Sequence, residues 1–392
     1  LQRIFTVIME NCKEYCKWVA CWGNATSITD RKECVYAKNL TLRYPIRMCF
    51  SGNKLRFRFS NLTGTEPITI TKAFVAIRDA EEYKPVPITF SKGNTSVSIE
   101  PKKEIESDEI DFMVVAGITI DVSMYIADYT QMNAGTLITG PLSSGQYSYG
   151  DYAECKTLPL DYTRRTNWFY FLNTIDILTE EKSHALVCFG DSITAQSWPD
   201  YLTLRTEKEG YKNVSIIRRA VSGTRILRQY DCITYQAYGL KGATRFPIEM
   251  NVAGASAVII QHGINDIIHP VGKDVNPFRP WSDLPTCEEM EKGMIDLYIT
   301  HARKLGIKVW SGTLLPIYGW RTYNEEREKM RQEFNAWLRS CELFDGCVDF
   351  DRAVFDKEKP KAFAPGFDSG DHLHPSEKAY EAMANCVPEV LF

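Results

Sequence analysis

Residues 185–194 read ALVCFGDSIT, and this stretch decides the fold class of the second half of the chain. Its first five residues form a continuous apolar run, which is typical of a parallel strand that helices cover on both faces. Gly190, Asp191 and Ser192 follow at once, where such a strand would turn into a helix. Because reactive groups gather at the carboxyl ends of the strands in open α/β sheets, Ser192 is a candidate nucleophile.

The same alternation of strand and helix continues towards the C-terminus. Residues 258–260 and the region around Val309 and Trp310 are further apolar runs that predict parallel strands. Between them, apolar residues recur at helical spacing and end at the stop signal Gly306; they are Met290, Met294, Leu297, Tyr298, Ala302 and Leu305. The pattern predicts a three-layer α/β/α domain with a mostly parallel sheet over residues 181–392.

The first part of the chain has a different period. Apolar and polar residues alternate over residues 55–60 and 118–126, and a shorter alternation covers residues 97–99. Period-two alternation predicts strands that turn one face to a core and the other to water. We therefore predict an N-terminal β-sandwich, or jelly roll, over residues 1–180, with the boundary in the polar stretch 179–183.

The composition is that of an ordinary globular protein and narrows the choice of partners. The 392 residues include 46 Lys and Arg against 50 Asp and Glu, a formal net charge of −4. Nucleic acid and anionic membranes both attract a basic surface, so this balance predicts neither as a partner. No uncharged apolar run approaches the roughly 20 residues that span a bilayer.

The twelve cysteines and the first ten residues bear on the cellular compartment. The cysteines are too few for a disulfide scaffold, and Cys12, Cys16 and Cys21 have no second cluster that would complete a zinc site. The first ten residues lack the basic start, long apolar stretch and cleavage site of a secretory signal, although a leader could have been trimmed. We expect free thiols, no metal site and a cytoplasmic location.

Three further segments, two after predicted strands and one just before a predicted helix, complement Ser192. Gly223 could offer a backbone N–H, and Asn265 a side-chain amide, to a developing oxyanion. His374 could act as the base that a serine nucleophile needs, and Asp371 could orient its ring. Taken singly, Gly223 is equally an ordinary turn glycine, Asn265 a helix cap and His374 a solvated loop residue. Their occurrence in order, each at a strand end or a helix start, favours a hydrolytic site.

In this order the segments resemble the four blocks of the SGNH, or GDSL-like, hydrolase family: Gly190-Asp191-Ser192, Gly223, Gly263-Ile264-Asn265-Asp266 and Asp371-x-x-His374. The resemblance implies that Ser192 attacks an ester carbonyl while His374 takes its proton. It implies an oxyanion hole made of the Ser192 and Gly223 N–H groups and the Asn265 side chain. It further implies an acyl-enzyme that water cleaves, without a metal or an organic cofactor.

The first half of the chain resembles the β-sandwich domain that precedes the hydrolase in bacterial two-domain esterases of the acetyl xylan esterase type. The segments that carry this second resemblance are residues 18–22, 58–61 and 107–108. Nothing in the composition chooses among a glycan-binding, a roofing and a subunit-interface role for this half, and a homo-oligomer is one of the possibilities.

Aromatic residues are frequent in the loops at the predicted strand ends. Trp198, Trp281 and Trp320 are candidates for the wall of a sugar-binding cleft, with loop packing as the alternative for each ring. The resulting hypothesis is an esterase that removes acetyl groups from plant cell-wall polysaccharide or oligosaccharide. A lysophospholipase or broad-specificity arylesterase on the same scaffold is the first alternative, because fold does not determine substrate. A carbohydrate-binding or assembly protein is the second.

Overall fold

In a computed structural model, residues 14–28, 36–230 and 232–392 are described. Cys12 and the first ten residues, on which two sequence interpretations depend, lie outside them. The described part before residue 180 is built from strands: β1 Lys17–Gly23, β2 Ser27–Ile28, β3 Tyr36–Ala37, β4 Leu40–Arg47, β5 Gly52–Ser60, β6 Ile68–Ile70, β7 Lys72–Ile77, β8 Val86–Ile88, β9 Val97–Ile99, β10 Glu104–Glu106, β11 Ile110–Val114, β12 Thr119–Ile126, β13 Thr130–Gln131, β14 Ala134–Leu137, β15 Gly145–Tyr149, β16 Thr163–Thr166, β17 Trp168–Tyr170 and β18 Leu172–Thr179.

Two antiparallel sheets account for most of these strands. One has the order β1-β18-β5-β10, with β11 also beside β5, and the other has the order β16-β15-β4-β12-β7-β8. Leu55, Phe57 and Phe59 of β5 and Val122 and Met124 of β12 are fully buried in one apolar cluster. The alternation in residues 55–60 therefore predicted the inward face of β5 correctly.

The expectation that β12 turns its polar face to water is wrong. Asp121 and Ser123 are only 3% and 1% exposed. Asp121 forms an ion pair with Arg78, and Arg43 donates from Nε to the Ser123 hydroxyl at 2.8 Å. Arg43 also donates to three backbone carbonyls within residues 152–156, which hold that loop over the sheet. Buried polar side chains are stable when they are paired in this way, so both faces of β12 are covered.

The second part alternates strands and helices. Its elements are β19 His184–Gly190, α1 Ser192–Ala195, α2 Trp198–Lys208, β20 Val214–Ala220, α3 Gly242–Glu249, β21 Ala255–Gln261, α4 Ile264–Ile268, α5 Cys287–Gly293, α6 Thr300–Lys304, β22 Lys308–Gly312, α7 Glu325–Ser340, β23 Gly346–Val348, α8 Phe350–Val354 and α9 Glu377–Asn385. A π-helical turn, Met294–Ile299, joins α5 to α6, and 3₁₀ turns cover Ile233–Tyr238, Trp281–Asp283 and Glu389–Leu391.

The five strands of this second part form one parallel sheet in the order β20-β19-β21-β22-β23. Every residue of the apolar run 185–189 is fully buried, as a strand flanked by two others and covered on both faces requires. The prediction of an α/β domain with a mostly parallel sheet is confirmed. The serine, glycine and asparagine segments singled out in the sequence follow β19, β20 and β21, which are neighbours in the sheet, and the histidine segment lies in the loop before α9.

Buried polar contacts join the strand-rich part to the parallel sheet. Ser215 of β20 donates from its hydroxyl to the backbone oxygen of Ala20 at 2.6 Å. Arg219 of β20 donates to the backbone oxygen of Asn173 at 3.1 Å and to the Thr174 hydroxyl at 2.7 Å. Burial lowers the pKa of the Arg219 guanidinium to about 10, so it stays charged at neutral pH. These bonds position the strand that leads to Gly223. Among the described helices, none is long and apolar enough to cross a membrane.

Candidate active site

Ser192 stands at the turn from β19 into α1. The Asp191 side chain caps this helix by accepting a hydrogen bond from the backbone N–H of Ile193 at 3.1 Å. Gly190 leaves no room for a side chain, because a Cβ there would come within 2.4 Å of the Thr194 hydroxyl and 2.5 Å of a backbone oxygen of β21. The close packing of β19, β21 and α1 thus holds Ser192, which is half-buried, at the carboxyl edge of the sheet.

Two buried carboxyl groups lie beneath this edge. Burial raises the pKa of Asp191 to about 7, since a charged carboxylate is poorly solvated there. Burial likewise raises the pKa of Asp266 to about 6, although this side chain accepts backbone N–H bonds from Ile226 and Leu227. The Asp266 carboxyl ties the chain that follows Gly223 to the start of α4, so it has a structural position in the site.

The loop before α9 brings His374 to Ser192. His374 Nε2 lies 2.9 Å from Ser192 Oγ, and His374 Nδ1 lies 2.7 Å from Asp371 Oδ2. Asp371 Oδ1 also accepts the backbone N–H groups of His374 and Leu373. With Nδ1–H donating to the carboxylate, Nε2 is left to accept the serine proton. Burial disfavours the charged form of Asp371, but the hydrogen bonds from His374 and Leu373 outweigh burial and lower its pKa.

His372 forms a second pair on the same loop. Its Nδ1 lies 2.5 Å from Asp368 Oδ2, and its backbone has a φ of +65°, an uncommon value for a residue other than glycine. The ring packs against Gly319, where a Cβ would come within 2.9 Å of it. His372 therefore borders the loop after β22, whereas His374 is the histidine that meets Ser192.

Gly223 and Asn265 lie on either side of Ser192 because they follow the two strands that flank β19. Gly223 has a φ of +81°, a conformation that glycine adopts without strain. The Asn265 side chain donates from Nδ2 to the Thr224 backbone oxygen at 3.0 Å, which fixes the amide and leaves its second N–H for another acceptor. The sequence-based pairing of Gly223 with Asn265 thus corresponds to one hydrogen-bonded unit.

Arg245 is a structural member of the site that the sequence reasoning missed. It donates to the Gly190 backbone oxygen at 3.4 Å and to the Thr224 hydroxyl at 2.9 Å, and it forms an ion pair with Glu249 at 2.7 Å. Both side chains are buried. The available signal was an Arg–Glu pair four residues apart on a helix that also carries apolar residues, which is a spacing for an ion pair on one face. This pair braces the segments that hold Ser192 and Gly223.

The three tryptophans have different surroundings. The prediction that Trp198 lines a cleft is wrong: its side chain is fully buried, donates to the Thr194 hydroxyl at 3.3 Å and packs on Phe350. Trp281 is 55% exposed, and Trp320 is half-buried beside the loop that touches His372. Only the latter two remain available to a ligand.

The described residues offer no cluster of metal ligands: no group of three or more of their histidine, cysteine, aspartate or glutamate side chains is arranged to hold a metal ion. Cys16 and Cys21, two members of the cysteine cluster considered above, are free thiols. The groups gathered at the sheet edge are a hydroxyl, an imidazole, a carboxylate and amide N–H donors, a set suited to acyl transfer.

Comparison with known proteins gives similar solved structures and one family match. Among solved structures, the chain is similar to a GDSL-like lipase from Bacteroides thetaiotaomicron, with 18% identity, a TM-score of 0.36 and coverage of 53% of this chain and 87% of that chain. It is also similar to Axe2, an acetylxylan esterase from Geobacillus stearothermophilus, with 16% identity, a TM-score of 0.38 and coverage of 53% and 94%. The comparison with curated proteins gives no match. Residues 186–387, just over half of the chain, match the family described as GDSL-like lipase/acylhydrolase. The chain therefore belongs to the GDSL-like, or SGNH, family of ester-cleaving acylhydrolases.

Proposed function

We propose that the protein is a serine esterase that removes acetyl groups from plant cell-wall polysaccharide or its oligosaccharides, as an acetyl xylan esterase does. The observation that carries the catalytic part is the continuous chain of hydrogen bonds from Ser192 through His374 to Asp371. This geometry supports a hydroxyl that loses its proton to Nε2 as it attacks an ester carbonyl.

The reaction proceeds in two stages on these residues. Ser192 Oγ forms a bond to the carbonyl carbon, and the carbonyl oxygen takes up the negative charge. The N–H groups of Ser192 and Gly223 and the free N–H of Asn265 stabilise that charge. His374 then gives its proton to the alcohol oxygen that leaves. Water, activated in turn by His374, releases the acid from the acyl-enzyme.

The sugar part of the proposal depends on the rings around this edge. Trp281, Phe278 and Tyr318 are each at least 40% exposed, and Trp320 adjoins the loop at His372. Exposed rings offer flat apolar faces with polar edges, which suit the mixed surface of a sugar. The small formal net charge of −4 also suits an acetylated glycan, because a neutral substrate needs no electrostatic attraction to reach the site.

For the domain organisation we propose a jelly-roll domain over residues 1–180 and a hydrolase domain over residues 181–392. The two antiparallel sheets before residue 180 support a sandwich, and the polar turn between β18 and β19 supports the boundary. We also propose acetylated carbohydrate as the physiological partner, rather than nucleic acid or a membrane, and a cytoplasmic location.

Ser192→Ala tests the catalytic assignment on the intact chain. We expect turnover of an acetyl ester to fall on the order of 10⁶-fold, as for other serine nucleophiles, and Asn265→Ala to lose about 10²–10³-fold. Ser340→Ala is the matched control, because Ser340 is exposed at the end of α7 and bonds only to carbonyls of its own helix. Esterase activity that survives in Ser192→Ala would refute the site.

A substrate profile tests the acetylated-sugar assignment. We expect acetylated xylan and acetylated xylo-oligosaccharides to be cleaved in preference to long-chain acyl esters and lysophospholipids. A preference for long acyl chains would instead identify a lysophospholipase, and equal turnover of many aryl esters a broad arylesterase.

A further inference from the structure

The ring of Tyr238 lies directly on Gly223. A Cβ built on Gly223 would come within 2.3 Å, 2.4 Å and 2.9 Å of three atoms of the Tyr238 ring, and these are its three nearest contacts. The ring therefore occupies the space next to the glycine where a side chain would otherwise stand. Tyr238 is only partly buried, so some of its surface faces open space. A group bound at the Gly223 N–H has this ring as a neighbour.

The position of His374 determines which part of an ester meets that ring. His374 gives its proton to the alcohol oxygen, so the alcohol must lie on the side of the loop that carries His374 and His372. That loop borders Gly319, which follows β22. Gly223 follows β20, the edge strand on the other side of β19. The oxyanion is directed at the Gly223 N–H and the leaving alcohol at His374, so we infer that the acyl substituent takes the remaining side of the carbonyl carbon, beside Gly223 and Tyr238.

Aromatic neighbours hold the Tyr238 ring in place. It stacks on His269 with ring centres 5.1 Å apart and on Tyr235 with ring centres 5.6 Å apart. It also contacts Tyr230, which is buried. Burial lowers the pKa of His269 well below its usual range, so the ring under Tyr238 is a neutral imidazole. The rings form a packed group that cannot yield to a longer acyl chain without repacking.

The strand-rich part of the chain supports this arrangement from behind. Gly239, with a φ of +69°, has no room for a side chain, since a Cβ would come within 2.8 Å of the Ser27 hydroxyl and 3.0 Å of Val221. Ser27 belongs to β2 and is buried. The turn Ile233–Tyr238 is thus pressed between β2 and the segment that carries Gly223, which restricts outward movement of the ring.

We propose that the Tyr238 ring is the wall of the acyl subsite and limits the enzyme to acetyl and similarly short acyl groups. The proposal rests on the proposed function, because it takes the Gly223 N–H as an oxyanion donor. Tyr238 acts as a specificity residue: it takes no part in proton transfer, and its ring excludes carbon atoms beyond the acetyl methyl group.

Chain-length profiles of Tyr238 variants test this assignment. The measured quantity is the ratio of kcat/KM for p-nitrophenyl butyrate to kcat/KM for p-nitrophenyl acetate. We expect Tyr238→Ala to raise this ratio at least tenfold, because each methylene that a hydrophobic pocket admits or rejects changes kcat/KM by about 10- to 200-fold. Tyr238→Leu should raise it less, and Tyr238→Phe, which keeps the ring, should leave it within twofold of the parent.

Tyr235→Ala is the comparison variant, because Tyr235 supports the Tyr238 ring but does not supply the atoms nearest Gly223. We expect it to raise the ratio less than Tyr238→Ala does. An unchanged ratio in both Tyr238→Ala and Tyr238→Leu would overturn the proposal, and so would an equal rise in Tyr235→Ala. If the alanine variant does not fold by circular dichroism, the leucine variant decides. Activity that survives in Ser192→Ala would instead overturn the proposed function, so the two failures are distinguishable.

Discussion

A single loop carries two histidine–aspartate pairs, with partners four residues apart in one pair and three in the other, and only one pair reaches Ser192. His374 bonds to Asp371 and Ser192, and its side chain is 22% exposed. His372 bonds to Asp368, and its side chain is 50% exposed. Both pairs have an Nδ1-to-carboxylate bond of similar length, so the bond itself does not distinguish a catalytic histidine.

The difference between the pairs comes from the backbone that presents them. His374 directly precedes Pro375 and the start of α9, and its ring is turned in towards the sheet edge. His372 has a left-handed backbone, which turns its ring out towards Gly319. Because activation of a serine requires a base within hydrogen-bond reach, the 2.9 Å contact with Ser192 supports His374 as the proposed base. Evidence that His372, rather than His374, acts as the base would contradict this comparison of the two pairs.

Replacement of each histidine by asparagine is expected to have the largest and most unequal effect. His374→Asn should lower kcat by about 10⁶-fold, because the serine then has no base. His372→Asn should lower it by less than tenfold, and asparagine tolerates the left-handed backbone at that position. Steady-state kinetics on an acetyl ester measures both. The opposite ranking would show that His372 is the base.

Replacement of the two aspartates is expected to separate the pairs by a smaller factor. Asp371→Asn should lower kcat by about 10⁴-fold, because an amide can hold His374 in the wrong tautomer. Asp368→Asn is the matched control and should cost less than tenfold. A loss below tenfold in Asp371→Asn would show that the carboxylate is dispensable and that the pair merely positions the loop.

Much of the second half could be predicted because its signals are local. The apolar run 185–189 is a buried parallel strand, and the serine, glycine, asparagine and histidine segments occupy one edge of the sheet. The first three positions depend on strand ends, which an apolar run followed by a turn marks in the sequence, and the histidine precedes a helix start that Pro375 marks. The family assignment agrees with that interpretation.

The missed features depend on the direction in which a side chain points. Trp198 follows Ser192 closely in sequence, but the first turn of α2 directs its ring into the core against Phe350. The alternating pattern predicted that Asp121 and Ser123 face water, but in the folded chain Arg78 and Arg43 pair with them and cover them. Tyr238 had a signal, since residues 230–238 contain three tyrosines, yet the contact with Gly223 depends on a turn pressed against β2.

Asp191 makes the stability of the fold depend on pH. Its pKa of about 7 in the folded chain lies above the value of about 4 expected in the unfolded chain, so folding takes up a proton between these pH values. The contribution of Asp191 to the free energy of unfolding should therefore be most favourable below pH 4 and should fall as the pH rises to 7.

Asp191→Asn removes this proton uptake while keeping an oxygen that caps α1. The unfolding free energy of the variant minus that of the parent should increase by about 2–3 kcal/mol from pH 5 to pH 8. Denaturant titration at the two pH values measures this difference. An equal difference at both pH values would mean that Asp191 ionises normally in the folded chain. The Asp191 side chain also caps the helix that begins at Ser192. The loss of stability on ionisation of Asp191 therefore arises at the turn that carries the proposed nucleophile.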